Sequence, residues 1–155
     1  MAKQSSKDRV AEAAAAAGLN ITITLMPEST RTAEEAAKAC KCTVGQIVKS
    51  LIFQREDTEE LVLLLIAGNR QADLEAAAQI VGGPLTRADA RHVRKVTGFA
   101  IGGVAPLGHL SPIPVYMDAS LLTHDLVWAA AGAPNAVFAV NPQALKEAIS
   151  AHVMG

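Results

Sequence analysis

The sequence predicts a mixed α/β fold of the α+β kind, a single domain over residues 1–155 with a curved β-sheet surrounded by helices. Apolar, β-branched stretches outnumber those of a simple strand–helix–strand alternation, and two pairs follow each other as hairpins. Helix caps and glycine stops separate the remaining elements. With 155 residues, half of them apolar and 19% charged, the chain is long enough to bury a core.

The first part of the chain predicts a helix, a strand and a second helix, over residues 8–17, 21–25 and 33–41. Gly18 ends the first helix, because glycine adopts the backbone angles of a helix C-terminus without strain. Thr32 and Glu35 have the spacing of a capping box, which starts the second helix.

Two central strands are predicted over residues 46–53 and 61–67, joined as a hairpin by the charged segment 55–60. Both are apolar on both faces, which is typical of strands covered on both sides. We therefore expect them in the middle of the sheet.

The later elements follow from caps and turns. Asp73 predicts a helix to residue 80, and Thr86 or Ala88 begins another that ends near Gly98. Pro114 indicates that the strand 113–117 lies at a sheet edge. The remaining predictions are a helical turn at 120–122, strands at 126–131 and 136–140, and a closing helix capped by Asn141 with Pro142 in its first position.

Composition excludes several classes of function. The net charge of −1 argues against broad duplex binding, although a protein that grips only the end of a nucleic acid needs no basic face. Cys40 and Cys42 are too close for an ordinary disulfide and lack a second metal-binding pair, so we expect reduced thiols and no metal. The N-terminal segment has neither signal-peptide nor membrane character, so the expected location is the cytoplasm. Motifs for serine hydrolases, P-loops and dinucleotide binding are absent.

Residues 102–108, Gly-Gly-Val-Ala-Pro-Leu-Gly, form a stiff loop with few side chains. Such a loop can expose backbone N–H groups that bind a carboxylate, phosphate or ester oxygen. Taken alone, the motif favours a plain tight turn.

Lys49 is the second candidate. On a strand it shares a face with Ile47, Leu51 and Phe53, where a desolvated ammonium is costly unless it reaches a cleft or an anionic ligand. A lysine that extends to solvent at a sheet edge is the equal alternative. Ser50 points the other way. Asp118 follows a strand, where clefts open, but alone it favours a helix cap.

Together these segments resemble the YbaK/prolyl-tRNA-synthetase-associated editing domain family, over about residues 32–145. The resemblance rests on ordered segments: 46–51, 61–68 followed by Arg70 and residues 73–74, then 97–99, 102–108, 115–118 and Gly132. It implies a free-standing aminoacyl-tRNA deacylase that hydrolyses the ester between a wrongly attached amino acid and the terminal adenosine. The expected partners are the acceptor end of aminoacyl-tRNA and prolyl-tRNA synthetase, with no cofactor and no membrane.

The resemblance also assigns site residues. Lys49 corresponds to a lysine essential for deacylation, and Asp118 to an aspartate that borders the site. The remaining substrate-binding positions are Ser50, Gly102, Gly103, Pro106, Gly108 and Gly132. Ser50 departs from the threonine or asparagine of many members, which leaves the amino acid open; the family mostly clears alanine or cysteine from tRNA for proline. We expect Leu25, Met26 and Ser50 to shape the amino-acid pocket. The alternative is a module that binds a tRNA end or a nucleotide without hydrolysis.

Overall fold

The computed structural model describes residues 5–27, 30, 32–100, 103–133 and 135–154. The helices are α1 (Ser6–Ala16), α2 (Ala33–Cys40), α3 (Leu74–Val81), α4 (Ala90–Thr97) and α5 (Pro142–Ala148). The strands are β1 (Ile23–Leu25), β2 (Val48–Arg55), β3 (Leu61–Ala67), β4 (Leu85–Arg87), β5 (Val115–Asp118), β6 (Val127–Ala130), β7 (Ala136–Val140) and β8 (His152–Met154). Short 3-10 helices cover Val44–Gln46 and Ala119–Thr123.

The strands divide into two sheets, which confirms the mixed α/β class. The larger sheet has the order β4-β2-β3-β5-β8, with β3, β5 and β8 parallel and the other pairs antiparallel. The smaller sheet is antiparallel, in the order β1-β7-β6. A parallel bridge between Ile47 and Trp128 joins the two sheets where β2 begins.

The hairpin of β2 and β3 forms the centre of the larger sheet, as its sequence predicts. All seven residues of β3 are buried, because leucine, valine and isoleucine fill both faces. One face packs on α3 and the other on the main core, which the smaller sheet, α1 and α4 share. The register pairs Lys49 with Ile66 and Ser50 with Leu65. The two neighbours therefore point to opposite faces of the sheet.

Most predicted helix starts are confirmed by their caps. The side chains of Thr32, Asp73 and Asn141 each accept a hydrogen bond from the backbone three residues on, and Pro142 opens α5. The start of α4 differs, because Asp89 caps it and the preceding residues form the short strand β4. Three residues give too little periodicity to predict either β4 or β8.

The placement of the strand after Pro114 at a sheet edge is wrong. β5 lies between β3 and β8. Pro114 precedes the strand, so its missing N–H costs no bond of the ladder, and its carbonyl accepts a hydrogen bond from the N–H of Leu63 at 2.9 Å.

A polar and aromatic cluster fixes the second half of the glycine-rich loop against α1. The guanidinium of Arg9 lies 4.9 Å from the ring centre of Phe99 and donates to the carbonyls of Gly98 at 2.8 Å and Gly108 at 3.4 Å. His109 packs edge-on against Phe99 and shares a hydrogen bond with the Ala105 carbonyl at 2.8 Å. The second half of the loop is thus tied to the N-terminal helix.

The burial of His109 predicts a pH-dependent stability. Burial lowers the pKa of His109 below its ordinary value of 6.5; the bond to Ala105 opposes this, and the charge of Arg9 adds to it. The unfolded chain therefore takes up a proton first as the pH falls below about 6.5, and the folded state loses stability there. His109→Gln keeps an amide donor for Ala105 and removes this proton uptake.

Urea unfolding between pH 7.5 and 5.5 checks this prediction. The free energy of unfolding of the wild type should fall more steeply with decreasing pH than that of His109→Gln. His124→Gln removes a histidine outside the cluster and should keep the wild-type slope. Equal slopes for His109→Gln and the wild type would contradict the role given to His109.

Candidate functional site

A cleft of about 300 Å³ opens where β2 begins, between the larger sheet, the smaller sheet and α2. Small side chains of α2 and β6 leave the space: Ala33, Ala36, Ala129 and Ala130. Trp128 and Val137 add apolar surface from the smaller sheet. Its volume lies at the low end of small-molecule sites, roughly 300–1,000 Å³, so the cleft suits a small group.

Two of the predicted site residues and one further residue of the glycine-rich loop line this cleft. Lys49 and Ser50 lie on its β2 side, and Val104 of the glycine-rich loop is also on its wall. Lys49 and Val104 are 55 positions apart in the sequence, and the packing of the loop on the larger sheet brings them to one cleft. The sequence leads one to expect the backbone of residues 102–108 at this cleft, and of the described loop residues only Val104 is on its wall.

The Lys49 side chain is half-buried, and its ammonium donates a hydrogen bond to the carbonyl of Arg70. An ammonium has three N–H donors, so two remain for other acceptors. As expected from the pattern, Lys49 lies on the face of β2 that also holds Leu51 and Phe53, which pack on the α3 side of the sheet.

Ser50 lies on the opposite face, toward the main core. Its Oγ is buried and has no hydrogen-bond partner within the part of the chain that the structure describes. An unpaired buried hydroxyl costs about 1–3 kcal/mol, so a ligand group that bonds to it in the cleft would recover that free energy.

Cys40 is the one thiol on the cleft wall among the described residues. Burial, and to a lesser extent the neighbouring Cys42, raise the pKa of Cys40 to about 11. Burial also raises the pKa of Cys42. Both thiols are therefore protonated at neutral pH, and a protonated thiol is a poor nucleophile.

Asp118 lies at the end of β5, outside the cleft wall, and is 5% exposed. Its carboxylate accepts hydrogen bonds from the N–H of Ala67 at 3.2 Å, the N–H of Ser120 at 3.0 Å and the guanidinium of Arg70 at 3.0 Å. Both the helix cap and the strand-end position expected from the sequence are present. Arg70 connects Asp118 to Lys49, since its carbonyl accepts from that ammonium.

The other loop positions differ in their surroundings. The N–H of Gly103 donates to the Ala100 carbonyl at 2.8 Å, and Gly102 lies outside the described residues. Pro106 is buried. None of Gly103, Pro106 and Gly108 is on the cleft wall.

Gly108 and Gly132 are required by close packing away from the cleft. Both have positive φ, +86° and +85°. A Cβ at Gly108 would lie 3.2 Å from the backbone of α1, and one at Gly132 would lie 2.6 Å from the Phe99 ring. These glycines let the loop, α1 and Phe99 approach each other.

Some cleft residues escape sequence reasoning, and some expected ones are elsewhere. Leu25 and Met26 are not on the cleft wall, and Leu25 is 58% exposed. The alanines of α2 and β6 carry no chemical signal, and only tertiary packing makes them line a cavity. Arg70 can be noticed in the sequence as a cation that follows a buried strand. Its contact with Lys49 cannot be predicted in this way, because it is made by the backbone carbonyl.

Neither a metal site nor a membrane span is found in the described ranges. Within 5–27, 30, 32–100, 103–133 and 135–154, no three histidine, cysteine, aspartate or glutamate side chains are grouped to hold a metal ion. The helices in these same ranges are all too short or too polar to cross a bilayer.

Comparison with known proteins gives one consistent result. The aminoacyl-tRNA editing domain family matches residues 27–148. The uncharacterized protein YwhH of Bacillus subtilis (strain 168) is 31% identical over 125 residues, which cover 81% of this chain and 79% of that protein.

Solved structures agree. A crystal structure of a proposed trans-editing enzyme for prolyl tRNA synthetase superposes with a TM-score of 0.90 and 44% identity, over 99% of this chain and 97% of that one. The crystal structure of the hypothetical protein APE2540 has a TM-score of 0.85 and 30% identity, over 94% and 96% of the two chains.

The raised pKa of Cys40 predicts slow alkylation. Relative to an ordinary thiol of pKa 9.0, a thiol of pKa about 11 has on the order of a hundredfold less thiolate at pH 8. Iodoacetamide labelling followed by peptide mass spectrometry should show Cys40 reacting far more slowly than a free cysteine, and faster as the pH rises toward 10. Labelling at the rate of free cysteine at pH 8 would contradict the protonated state.

Proposed function

The chain belongs to the aminoacyl-tRNA editing domain family, and from this premise we propose that it is a trans-editing hydrolase that deacylates mischarged tRNA. The reaction cleaves the ester that joins a small amino acid, such as alanine or cysteine, to the terminal adenosine of tRNA for proline. The observation that supports it best is the cleft whose wall includes Lys49, Ser50 and Val104.

The proposed reaction needs no strong protein nucleophile. A water oxygen attacks the ester carbonyl carbon, and the bond from that carbon to the ribose oxygen then breaks. The amino acid leaves as its carboxylate. One proton of the water ends on the ribose oxygen, and the other is released to solvent. The vicinal ribose hydroxyl assists the water, and the protonated thiol of Cys40 takes no part as a nucleophile.

Lys49 is the proposed catalytic residue. With one N–H bonded to Arg70, its ammonium has two donors left for the terminal phosphate or for the oxygen that becomes negative in the transition state. One preorganised donor of this kind is typically worth about 3–4 kcal/mol. Among the residues that the structure describes, no carboxylate forms an ion pair with Lys49, so its positive charge remains for the substrate.

The glycine-rich loop supplies the proposed second source of donors. Backbone N–H groups at Gly102 and Gly103 would bind the oxyanion. Since the N–H of Gly103 already donates to Ala100, its use requires the substrate oxygen to share or replace that bond. Pro106 and Gly108 serve the same loop by holding its shape.

The size of the cleft supports a small amino acid. Alanines from α2 and β6 form its walls, and the unpaired Ser50 hydroxyl offers one hydrogen bond to the substrate. A deacylase of charged tRNA would act in the cytoplasm, alongside prolyl-tRNA synthetase.

We expect Lys49→Ala to fold normally and to lose deacylase activity. The Lys49 side chain is half-buried with one backbone hydrogen bond, so its removal should change the free energy of unfolding by about 1 kcal/mol or less. The loss of one transition-state donor should lower kcat/KM at least about hundredfold. Lys38→Ala, an exposed lysine on α2, is the matched control and should retain wild-type activity. Clearance of mischarged tRNA by Lys49→Ala at the wild-type rate would refute the role of Lys49.

The substrate is tested with tRNA for proline charged with alanine, cysteine, serine or proline. We expect alanine or cysteine to be released fastest and proline to be retained, because a correctly charged tRNA must survive. Release is measured as loss of labelled amino acid from tRNA over time. Tight binding of the charged acceptor end without release of any amino acid would favour the non-catalytic binding module instead.

A further inference from the structure

We propose that Asp118 is a positioning residue for Lys49 and acts through the turn at residues 67–70. Its catalytic consequence rests on the deacylase function proposed above, whereas its effect on the Lys49 side chain does not. The inference starts from a chain of hydrogen bonds that leads from Asp118 through Arg70 to the Lys49 ammonium.

Asp118 holds this turn at two points. Its Oδ2 accepts from the N–H of Ala67, the last residue of β3, at 3.2 Å. Its Oδ1 accepts from the guanidinium of Arg70 at 3.0 Å. One carboxylate thus bonds to the first residue of the turn by its backbone and to the fourth by its side chain.

The turn at residues 67–70 holds Lys49 through hydrogen bonds to the start of β2. The N–H of Arg70 donates to the Ala67 carbonyl at 2.9 Å, which closes the turn. The N–H of Gly68 donates to the carbonyl of Ile47, two residues before Lys49, at 2.8 Å. The carbonyl of Arg70 is then directed at the ammonium of Lys49. Two hydrogen bonds, from Gly68 to Ile47 and from Lys49 to Arg70, therefore fix the turn to the start of β2.

Burial explains why the carboxylate is a firm anchor. Asp118 is 5% exposed, whereas the Arg70 side chain is 52% exposed. A buried carboxylate must keep its partners, because an unpaired charge away from water is strongly unfavourable. A mostly exposed arginine alone would sample many rotamers, so the order in the turn comes from the buried partner.

A held lysine favours catalysis over ground-state binding alone. A flexible four-carbon side chain must lose its freedom when its ammonium meets the transition state. A bond to the Arg70 carbonyl restricts that freedom before substrate arrives. We therefore expect the loss of Asp118 to lower kcat more than it raises KM.

A purely structural role for Asp118 is the competing explanation, because it also caps the 3-10 helix Ala119–Thr123 through the N–H of Ser120. Both roles predict some loss of stability in a variant. Only the positioning role predicts a change in the motion of Lys49, and the experiment is built on that difference.

The direct measurement is the order of the Lys49 side chain in the free protein. Protein labelled with ¹³C at lysine Cε gives a relaxation order parameter for each lysine, and Lys49→Arg identifies its signal. We expect Lys49 to be more ordered than Lys38, which is exposed on α2. Asp118→Asn weakens the ion pair with Arg70. It should lower the order parameter of the Lys49 side chain to that of Lys38.

Two further variants keep the test decisive. Arg70→Ala removes a half-exposed side chain and should fold even if Asp118→Asn does not. It should lower the order parameter of Lys49 by the same amount. Asp57→Asn is the matched control, because Asp57 pairs with Arg55 at 2.8 Å in the exposed hairpin turn. It removes an aspartate–arginine pair of the same chemistry and should leave Lys49 unchanged.

Kinetics on mischarged tRNA supply the second readout. Asp118→Asn and Arg70→Ala should each lower kcat on the order of tenfold to a hundredfold, with KM changed about twofold or less. The double variant should lose no more than either single one, because both act through the same turn. Asp57→Asn should keep the wild-type kcat.

The outcomes separate the two proposals. An unchanged order parameter for Lys49 in folded Asp118→Asn and Arg70→Ala overturns the positioning role. A wild-type kcat in both variants overturns its catalytic consequence. A wild type without deacylase activity, but with a Lys49 that loosens in both variants, refutes the proposed function and leaves the positioning role standing.

Discussion

The antiparallel pairing of β2 with β3 is the constraint on which the rest of the structure depends. All seven side chains of β3 are buried, so the register between the strands cannot slip without moving a whole apolar set to the wrong face. This register places Lys49 opposite Ile66 and Ser50 opposite Leu65. It also brings the end of β3 beside the start of β2, where the turn at residues 67–70 can reach the Lys49 ammonium.

The cleft exists because two sheets meet at the start of β2 without closing on each other. The bridge between Ile47 and Trp128 joins them, and alanines of α2 and β6 are too small to fill the remaining space. The wall also carries polar residues, Thr32, Lys49 and Ser50, so water can occupy the cleft when no ligand is bound. Its walls include the buried hydroxyl of Ser50, which has no hydrogen-bond partner among the described residues and would gain one from a polar ligand group.

The glycine-rich loop has a divided role. Val104 reaches the cleft, while the stretch from Ala105 to His109 is held on α1 by Arg9, Phe99 and His109. Gly108 and Gly132 permit the close approach of these groups. Most of the glycine signal in the sequence therefore reflects the anchoring of the loop, and a smaller part of it reflects the cleft wall. A loop held at one end can present its backbone at the other with little loss of entropy on binding.

The sequence by itself determined the mixed α/β class, the buried hairpin and most helix starts, because these depend on local periodicity and on caps within three residues, as at Asp73 and Asn141. It also indicated Lys49, because a cation in an apolar strand is costly to bury unless it reaches a partner or a cleft. Tertiary structure alone decided that β5 is internal, that Cys40 and four alanines wall a cleft, and that Asp118 connects to Lys49 through the backbone of Arg70. The physical reason is that alanine walls and backbone carbonyls have no residue-type signature. Their role comes from distance in space, which the order of residues along the chain does not record.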